Sequence, residues 1–441
     1  VAHTTRITNH IQRLPIMADA CPCGRTHTVS LRYLIMERGA LAQVPAVIDA
    51  LGNFSQIVMI CDDRTYTAAG KAVKTLCIQA WQETEKQVQT VCLDTAAHGG
   101  ELHATEAVVD EVIAAIAAAG KCDLLLAVGS GTIHDITRYI ATLQGLDFVS
   151  IPTAASVDGF LSSIAAMTWH GVKRSFPAKP PIALISDSDV LAAAPYALTA
   201  SGVGDLLGKY TALFDWRVSH MVTGEYLCEQ VIALEEEALR KVLDCADGVA
   251  AQDPAAVETV MYGLVLSGLA MQMVGNSRPA SGSEHHVSHL IEMDVITQNN
   301  PALHGEKVGV AAALVAEKYH AFLSMDPAAL DANAYQGLPL SRIQAVFGDR
   351  AEEVLTAENT PDPLREADAR KLISLWPDIK ALADKTLPTG DGLRRLLTDM
   401  GAKATLRDIG ISQDLWDTLW EMSPYVRRRL TFMRLTKLMG A

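Results

Sequence analysis

Leu124-Leu125-Leu126-Ala127-Val128-Gly129-Ser130-Gly131-Thr132 is a short apolar run that breaks into a glycine-rich turn. A helical stretch at 133–143 follows it. An unbroken apolar run of this length reads as a strand buried on both faces, as in the parallel sheet of an α/β protein. The two glycines let backbone N–H groups come close to a diphosphate, and a helix N-terminus adds a favourable partial charge. Gly129, Gly131 and Thr132 are therefore candidate nucleotide contacts, with Asp135 in the first helical turn. The full Gly-x-Gly-x-x-Gly fingerprint is absent, and an ordinary strand–helix turn has the same appearance.

The pattern repeats on either side. Apolar strands are predicted at 57–61, 90–93, 148–151 and 182–185, and helices at 65–81 and 104–119. Strands alternating with helices at this spacing predict a parallel sheet with both faces covered. The segments 165–168 and 172–176, either side of His170-Gly171, read as a small hairpin. From about Pro195 the apolar residues recur every three or four positions and strand-like runs become rare. The expected organisation is a Rossmann-like nucleotide-binding α/β domain over 1–195 and an all-α domain over 196–441, with a loop at Asn359-Thr360-Pro361-Asp362-Pro363.

Composition narrows the function. With 441 residues, 49% of them hydrophobic, the chain can bury a large core. A formal net charge of -14 argues against general binding to nucleic acid or a membrane surface. No run of membrane-spanning length is evident, and Val1-Ala2-His3-Thr4-Thr5-Arg6 lacks the apolar core of a leader. The eight cysteines are mostly isolated within apolar runs, which fits buried thiols in a reducing cytoplasm. Cys21 and Cys23 are the exception: Cys21-Pro22-Cys23-Gly24-Arg25-Thr26-His27 reads either as three ligands for a second metal or as a tight turn with partly buried thiols.

Further candidates lie at strand ends and on helices. Asp63, beside Asp62, closes the strand at 57–61, where a carboxylate accepts from ribose hydroxyls and repels a 2′-phosphate, favouring NAD over NADP; an exposed turn aspartate is the alternative. Pro152-Thr153-Ala154-Ala155-Ser156-Val157-Asp158-Gly159-Phe160 follows the strand at 148–151, at the sheet end that faces a ligand crevice, or forms a capped turn. His285 and His289 stand four apart, on one face of a helix. Asp205 and His304 would complete a three-ligand site with open positions, the catalytic pattern; isolated histidine pairs on helices are also common without metal. The run Val426-Arg427-Arg428-Arg429-Leu430 suggests an anionic partner, or else reads as the solvated face of a terminal helix or part of a subunit contact.

Taken together, Gly-Ser-Gly-Thr-Ile-His-Asp-Ile-Thr-Arg (129–138), the Pro152 segment, Ser-Gly-Val-Gly-Asp-Leu-Leu-Gly-Lys (201–209), Ser-Arg-Pro-Ala-Ser-Gly-Ser-Glu-His-His (277–286) and His-Gly-Glu-Lys-Val-Gly (304–309) resemble the iron-containing alcohol dehydrogenase and dehydroquinate-synthase-like superfamily. Within it the resemblance is to the sn-glycerol-1-phosphate dehydrogenases of the bacterial AraM type. It implies a dehydroquinate synthase-like fold and metal ligands Asp205, His285 and His304. It implies cofactor contacts at Gly131, Thr132, Asp135, Thr153, Ser156 and Ser162, and substrate contacts at Asp158, His289 and Asp205. Arg278, seven residues before His285, is the candidate for a substrate phosphate, with a structural salt bridge as its alternative. The implied reaction is reversible reduction of dihydroxyacetone phosphate to sn-glycerol 1-phosphate by NAD(P)H. A Zn²⁺, Ni²⁺ or Fe²⁺ ion would polarise the carbonyl, with His289 and Asp205 as catalytic residues. A homodimer in the cytoplasm, serving glycerophospholipid synthesis, is implied as well. Polyol dehydrogenation without a phosphate, dehydroquinate-synthase-like cyclisation and a non-catalytic binding relative remain alternatives.

Overall fold

The computed structural model describes residues 21–440, so the N-terminal hexapeptide read above for a leader lies outside them. The strands are β1 (Tyr33–Glu37), β2 (Gln56–Asp62), β3 (Gln87–Leu93), β4 (Leu124–Gly129), β5 (Asp147–Pro152), β6 (Ile164–Trp169), β7 (Val172–Pro177) and β8 (Ala183–Asp187). The chain forms two compact units. The first takes residues up to Trp169, then Arg174–Gly202 and Arg240–Ser277.

Unit 1 is built on a six-stranded sheet in the order β1-β8-β5-β4-β2-β3, with every neighbouring pair parallel. All six residues of β4 are buried, as its apolar run predicts. Alternate side chains feed separate cores. Ile57, Met59, Leu124, Leu126 and Val128 join one apolar cluster, and Val58, Ile60, Leu125 and Ala127 join the other. The strand order reverses between β2 and β4: the chain leaves β2 for β3 on one side and resumes at β4 on the other. Ligand crevices in open parallel sheets form beyond the strand C-termini at such a reversal. The C-terminal ends there carry Asp62-Asp63 and Gly129.

The hairpin of β6 and β7 turns at His170 (φ 49°) and Gly171 (φ 72°), the paired left-handed geometry of a two-residue hairpin turn. β1 was not anticipated. It is an edge strand with a core of only Leu34-Ile35-Met36, and its partner β8 lies far along the sequence. The helix Pro254–Val274 also belongs to unit 1, so the compact units are not contiguous in sequence as a division at 195/196 would be. That helix is long and apolar enough by composition to cross a membrane, yet 78% of its apolar window is buried inside the protein. A Cβ added at Gly268 would lie 2.8 Å from Leu161 Cβ and 3.1 Å from the Asp158 carbonyl, so the helix packs directly on the turn after β5.

Unit 2 comprises His170–Lys173, Val203–Leu239 and the chain from Arg278 onward, and is helical as expected. It receives the end of the helix Tyr196–Leu207, then Lys209–Thr223, Ser283–Glu292 and His304–Leu323, followed by shorter helices. A Cβ at Gly204 would lie 2.1 Å from the carbonyl oxygen of Gly305, and one at Gly309 would lie 2.9 Å from Gly204 Cα. The two backbones therefore touch, and this contact sets Asp205 beside the start of the His304 helix. Gly204→Ala should force the helices apart at about 1–3 kcal/mol, the usual cost of overpacking a close contact. Calorimetry should show a lower thermal midpoint, and dialysis should show weaker metal retention. Unchanged values for both would mean that the helices separate freely.

Candidate metal and nucleotide sites

In unit 2 the structure brings together the three residues expected to hold a metal. One ligand atom from each of Asp205, His285 and His304 lies within 4.8 Å of the others. His285 Nε2 is 3.6 Å from Asp205 Oδ1, and the His285 and His304 rings are 5.3 Å apart. Each imidazole is oriented by a carboxylate on its far side. His285 Nδ1 is 2.7 Å from Glu284 Oε1, and His304 Nδ1 is 2.7 Å from Glu292 Oε1. An ionised carboxylate only accepts, so each Nδ1 carries a proton and each Nε2 is the atom left for a cation. Burial opposes charge on His304, but Glu292 and Asp205 outweigh it and raise the His304 pKa. Carboxylate-backed histidines of this kind are the common second shell of a metal site.

Electrostatics keep those carboxylates ionised. Burial works against charge on Glu292, but Lys173, with Nζ 3.4 Å away, and His304 outweigh it and hold the group well below the usual carboxylate range. Burial likewise opposes charge on Glu284, and the hydrogen bond and charge of His285 bring it below its ordinary value. Lys209 is fully buried, with Nζ 3.2 Å from Asp205 Oδ1 and 3.0 and 3.1 Å from the carbonyls of Asp205 and Ala280. It anchors the Asp205 carboxylate from one side.

His289 shares the helix but has a different partner. Its ring is 5.9 Å from His285 and 5.7 Å from His304, while Arg427 Nε–H donates to its Nδ1 at 3.1 Å. Burial, then Arg427, pushes its pKa well below the usual imidazole range. The ring is therefore neutral with its proton on Nε2, which makes it a donor there rather than a ligand. His289, Glu292 and His304 also cluster within ligand range. The partners already held by Glu292 and the protonated Nε2 of His289 make Asp205, His285 and His304 the better cation set.

Arg278 is buried and ion-paired with Glu225 at 2.9 Å, and it also donates to the carbonyls of Leu430 at 2.7 Å and Asp215 at 3.3 Å. All three contacts run through Nη2, and the one to Glu225 is a salt bridge of the kind read above as the alternative. The arginine run is likewise not one solvated helix face. Arg427 reaches His289, Arg429 bonds the Ser281 carbonyl, and the exposed Arg428 meets Glu358, Thr360 and Glu366. It sits after the short turn Ser423–Val426 rather than on a terminal helix.

In unit 1 the nucleotide candidates gather around the reversal of strand order. A Cβ at Gly129 would lie 2.7 Å from Ile133, so nothing larger fits there without a shift, and one at Gly131 would lie in tight contact, 3.0 Å from Val157. The helix Gly131–Gln144 begins there, with Thr132 in its first turn. Thr153 N–H donates to Gly129 O at 3.0 Å, which ties the loop after β5 to the glycine turn. Ser156 is buried, and its hydroxyl finds no protein partner among the described residues, as a ligand contact would require. Asp63 is exposed at the end of β2; Thr95, bonding to its side chain, holds its pKa below the ordinary value. Ser162 is used locally, accepting from Ile164 N–H at 2.9 Å, and Asp158 accepts from Ser267 at 2.9 Å.

Sequence reading missed Arg138. Its buried guanidinium donates to the carbonyls of Gly159, Phe160 and Ile164 and lies 3.4 Å from Asp135. It therefore binds the glycine-turn helix to the loop that carries Asp158. Burial, helped by Arg138, also drops the His134 pKa to about 3, leaving it a neutral strut between Ser130 O at 2.9 Å and Ser150 Oγ at 2.8 Å.

Residues 35–195 match the family described as iron-containing alcohol dehydrogenase. The chain is 31% identical to the glycerol-1-phosphate dehydrogenase, NAD(P)+, of Geobacillus stearothermophilus, with 92% of each chain covered. It is 37% identical to the protein of the same name from Bacillus subtilis, over 87% of this chain and 85% of that one. Among solved structures, a probable glycerol dehydrogenase from Sinorhizobium meliloti shares the fold, with a TM-score of 0.60 at 18% identity over 93% of this chain and 95% of that one.

If Glu292 sets the His304 tautomer, Glu292→Gln should weaken Zn²⁺ binding by about 10–100-fold, the usual loss when such a partner is removed. Competition against a chromogenic chelator measures it, and wild-type affinity would remove Glu292 from the metal's support.

Proposed function

This chain belongs to the glycerol-1-phosphate dehydrogenase family, and on that premise we propose that it reduces dihydroxyacetone phosphate reversibly to sn-glycerol 1-phosphate with NADH or NADPH. The observation that carries the reading is the meeting of Asp205, His285 and His304, with both imidazoles turned by carboxylates to offer Nε2. In this reading these three residues hold one divalent cation. Gly129, Gly131, Thr132, Asp135, Thr153 and Ser156 hold the dinucleotide, with Ser162 shaping their loop. Zn²⁺, Ni²⁺ and Fe²⁺ all suit a carboxylate–imidazole set. When bound, the cation supplies Lewis-acid polarisation of the ketone and the nicotinamide supplies the hydride.

The chain's own groups do the rest. His289, neutral and protonated at Nε2, donates to the substrate oxygen that gains negative charge, and Arg427 fixes that tautomer from Nδ1. Arg427 is bound through Nε, and its two terminal nitrogens make no hydrogen bond to the described residues. A guanidinium fork suits phosphate, so the phosphate role read for Arg278 is assigned here to Arg427. Asp158 remains the proposed contact for a substrate hydroxyl. The exposed carboxylate of Asp63, at the C-terminal end of β2, favours NADH by repelling a 2′-phosphate.

A purified, metal-loaded enzyme should oxidise NADH when given dihydroxyacetone phosphate, with a higher kcat/KM than for NADPH. Chelation or His285→Ala should abolish the activity, and full activity in the stripped enzyme would end the metal reading. Arg427→Ala should raise KM for dihydroxyacetone phosphate at least about tenfold, the scale of one lost charged hydrogen bond, without improving the use of free glycerol. Arg278→Ala should lower thermal stability instead. A KM effect confined to Arg278→Ala would reverse the assignment.

A further inference from the structure

Outside the catalytic set, unit 1 carries a second group of metal-ligating side chains that the reaction does not use. Cys21, Cys23 and His27 each offer a ligand atom, and these atoms lie within 4.8 Å of one another. The backbone arranges them. Gly24 N–H donates to Cys21 O at 3.1 Å and Gly24 has φ 77°, so a tight turn sets the two thiols side by side. A left-handed residue at that point favours glycine.

The imidazole is more telling. His27 is buried, and its Nδ1 lies 2.7 Å from the carbonyl oxygen of Met273. A carbonyl only accepts, so Nδ1 carries the proton and Nε2 is the lone-pair side of the ring. Nε2 faces Cys23 Sγ at 3.3 Å. Around a tetrahedral zinc, with bonds of roughly 2.3 Å to sulfur and 2.0 Å to nitrogen, two such ligand atoms stand about 3.5 Å apart. The observed separation is within a few tenths of an ångström of that. The backbone carbonyl behind Nδ1 is a typical second-shell partner for a zinc-bound histidine.

We propose that Cys21, Cys23 and His27 form a structural zinc site distinct from the Asp205–His285–His304 centre. Zinc binding would release the two thiol protons, leaving two thiolates and a neutral imidazole on the cation, with one further donor or water completing the tetrahedron. The site has a structural consequence. Met273 is in the last turn of the helix Pro254–Val274, and Ser30 donates to Gln272 Oε1 through both its N–H (3.1 Å) and its hydroxyl (3.3 Å). The ion would thus fasten the segment leading into β1 to the C-terminal end of that helix.

Cobalt separates the two sites, because the catalytic set contains no sulfur. Full-length protein loaded with Co²⁺ under reducing conditions should show thiolate-to-cobalt charge-transfer absorption in the near ultraviolet. The band should persist in His285→Ala and vanish in the Cys21→Ser/Cys23→Ser double variant, and each variant should lose one equivalent of metal by elemental analysis. A wild-type protein without the band, or a double variant with unchanged metal content, would overturn the proposal. A mercurial thiol reagent added to zinc-loaded His285→Ala protein needs no cysteine variant. It should release zinc and lower the thermal midpoint, and absence of release again counts against the site. None of these readouts depends on turnover, so they stand apart from the test of the proposed reaction.

Discussion

Two helices in unit 2 meet with no side chain between them, and the convergence of Asp205 with His304 depends on that contact. At Gly204 the backbone of one helix lies against the Gly305 carbonyl of the other, and Gly309 returns the contact one turn later. Aspartate is the shorter of the two acidic side chains, so Asp205 comes within ligand range of His304 only if the backbones are this close. Gly208 extends the same logic, since a Cβ there would lie 2.6 Å from Val308 Cγ1. The small residues in Ser-Gly-Val-Gly-Asp-Leu-Leu-Gly-Lys therefore set how closely Asp205 approaches His304.

Closeness alone would be expensive. The centre buries Asp205, Lys209, Glu284, His285 and His289. An ionised group taken from water without partners costs several kcal/mol. The structure answers by pairing each one: Lys209 with Asp205, Glu284 with His285, Glu292 with Lys173 and His304, and Arg427 with His289. The same pairs that offset the burial cost also fix ring orientation. The polar network thus serves packing and chemistry at once, and removing one member disturbs both.

Much of this was legible in the chain. The apolar runs at 57–61, 124–128 and 148–151 are strands β2, β4 and β5, because a doubly covered sheet leaves uninterrupted hydrophobic stretches that few other structures produce. Asp205, His285 and His304 could be named because they sit in motifs that a known family shares. What stayed hidden was non-local. The strand at Tyr33–Glu37 has meaning only beside β8, and Pro254–Val274 joins the α/β unit because Gly268 admits the turn after β5. Arg278 and Arg427 illustrate the limit most sharply. Both are arginines upstream or downstream of a histidine motif, and spacing favoured the nearer one. Only the fold shows that Nη2 of the first meets Glu225 and two carbonyls while Nε of the second reaches His289.

That contrast extends to the histidines themselves. His285 and His289 are one helical turn apart on the same face, and pattern gives no reason to separate a ligand from a proton donor. Their Nδ1 partners do. Glu284 accepts from His285, so Nε2 is left bare for a cation; Arg427 donates to His289, so Nε2 keeps its hydrogen. One imidazole is left with a bare Nε2 and the other with an Nε2–H, through the sign of the charge placed behind each ring. Since Glu284 adjoins His285 in sequence while Arg427 arrives from the far end of the chain, the donor role is assigned only after the C-terminal segment has folded onto the helix. The C-terminal region, read from sequence only as part of an all-α domain, thereby supplies the group that differentiates the two rings.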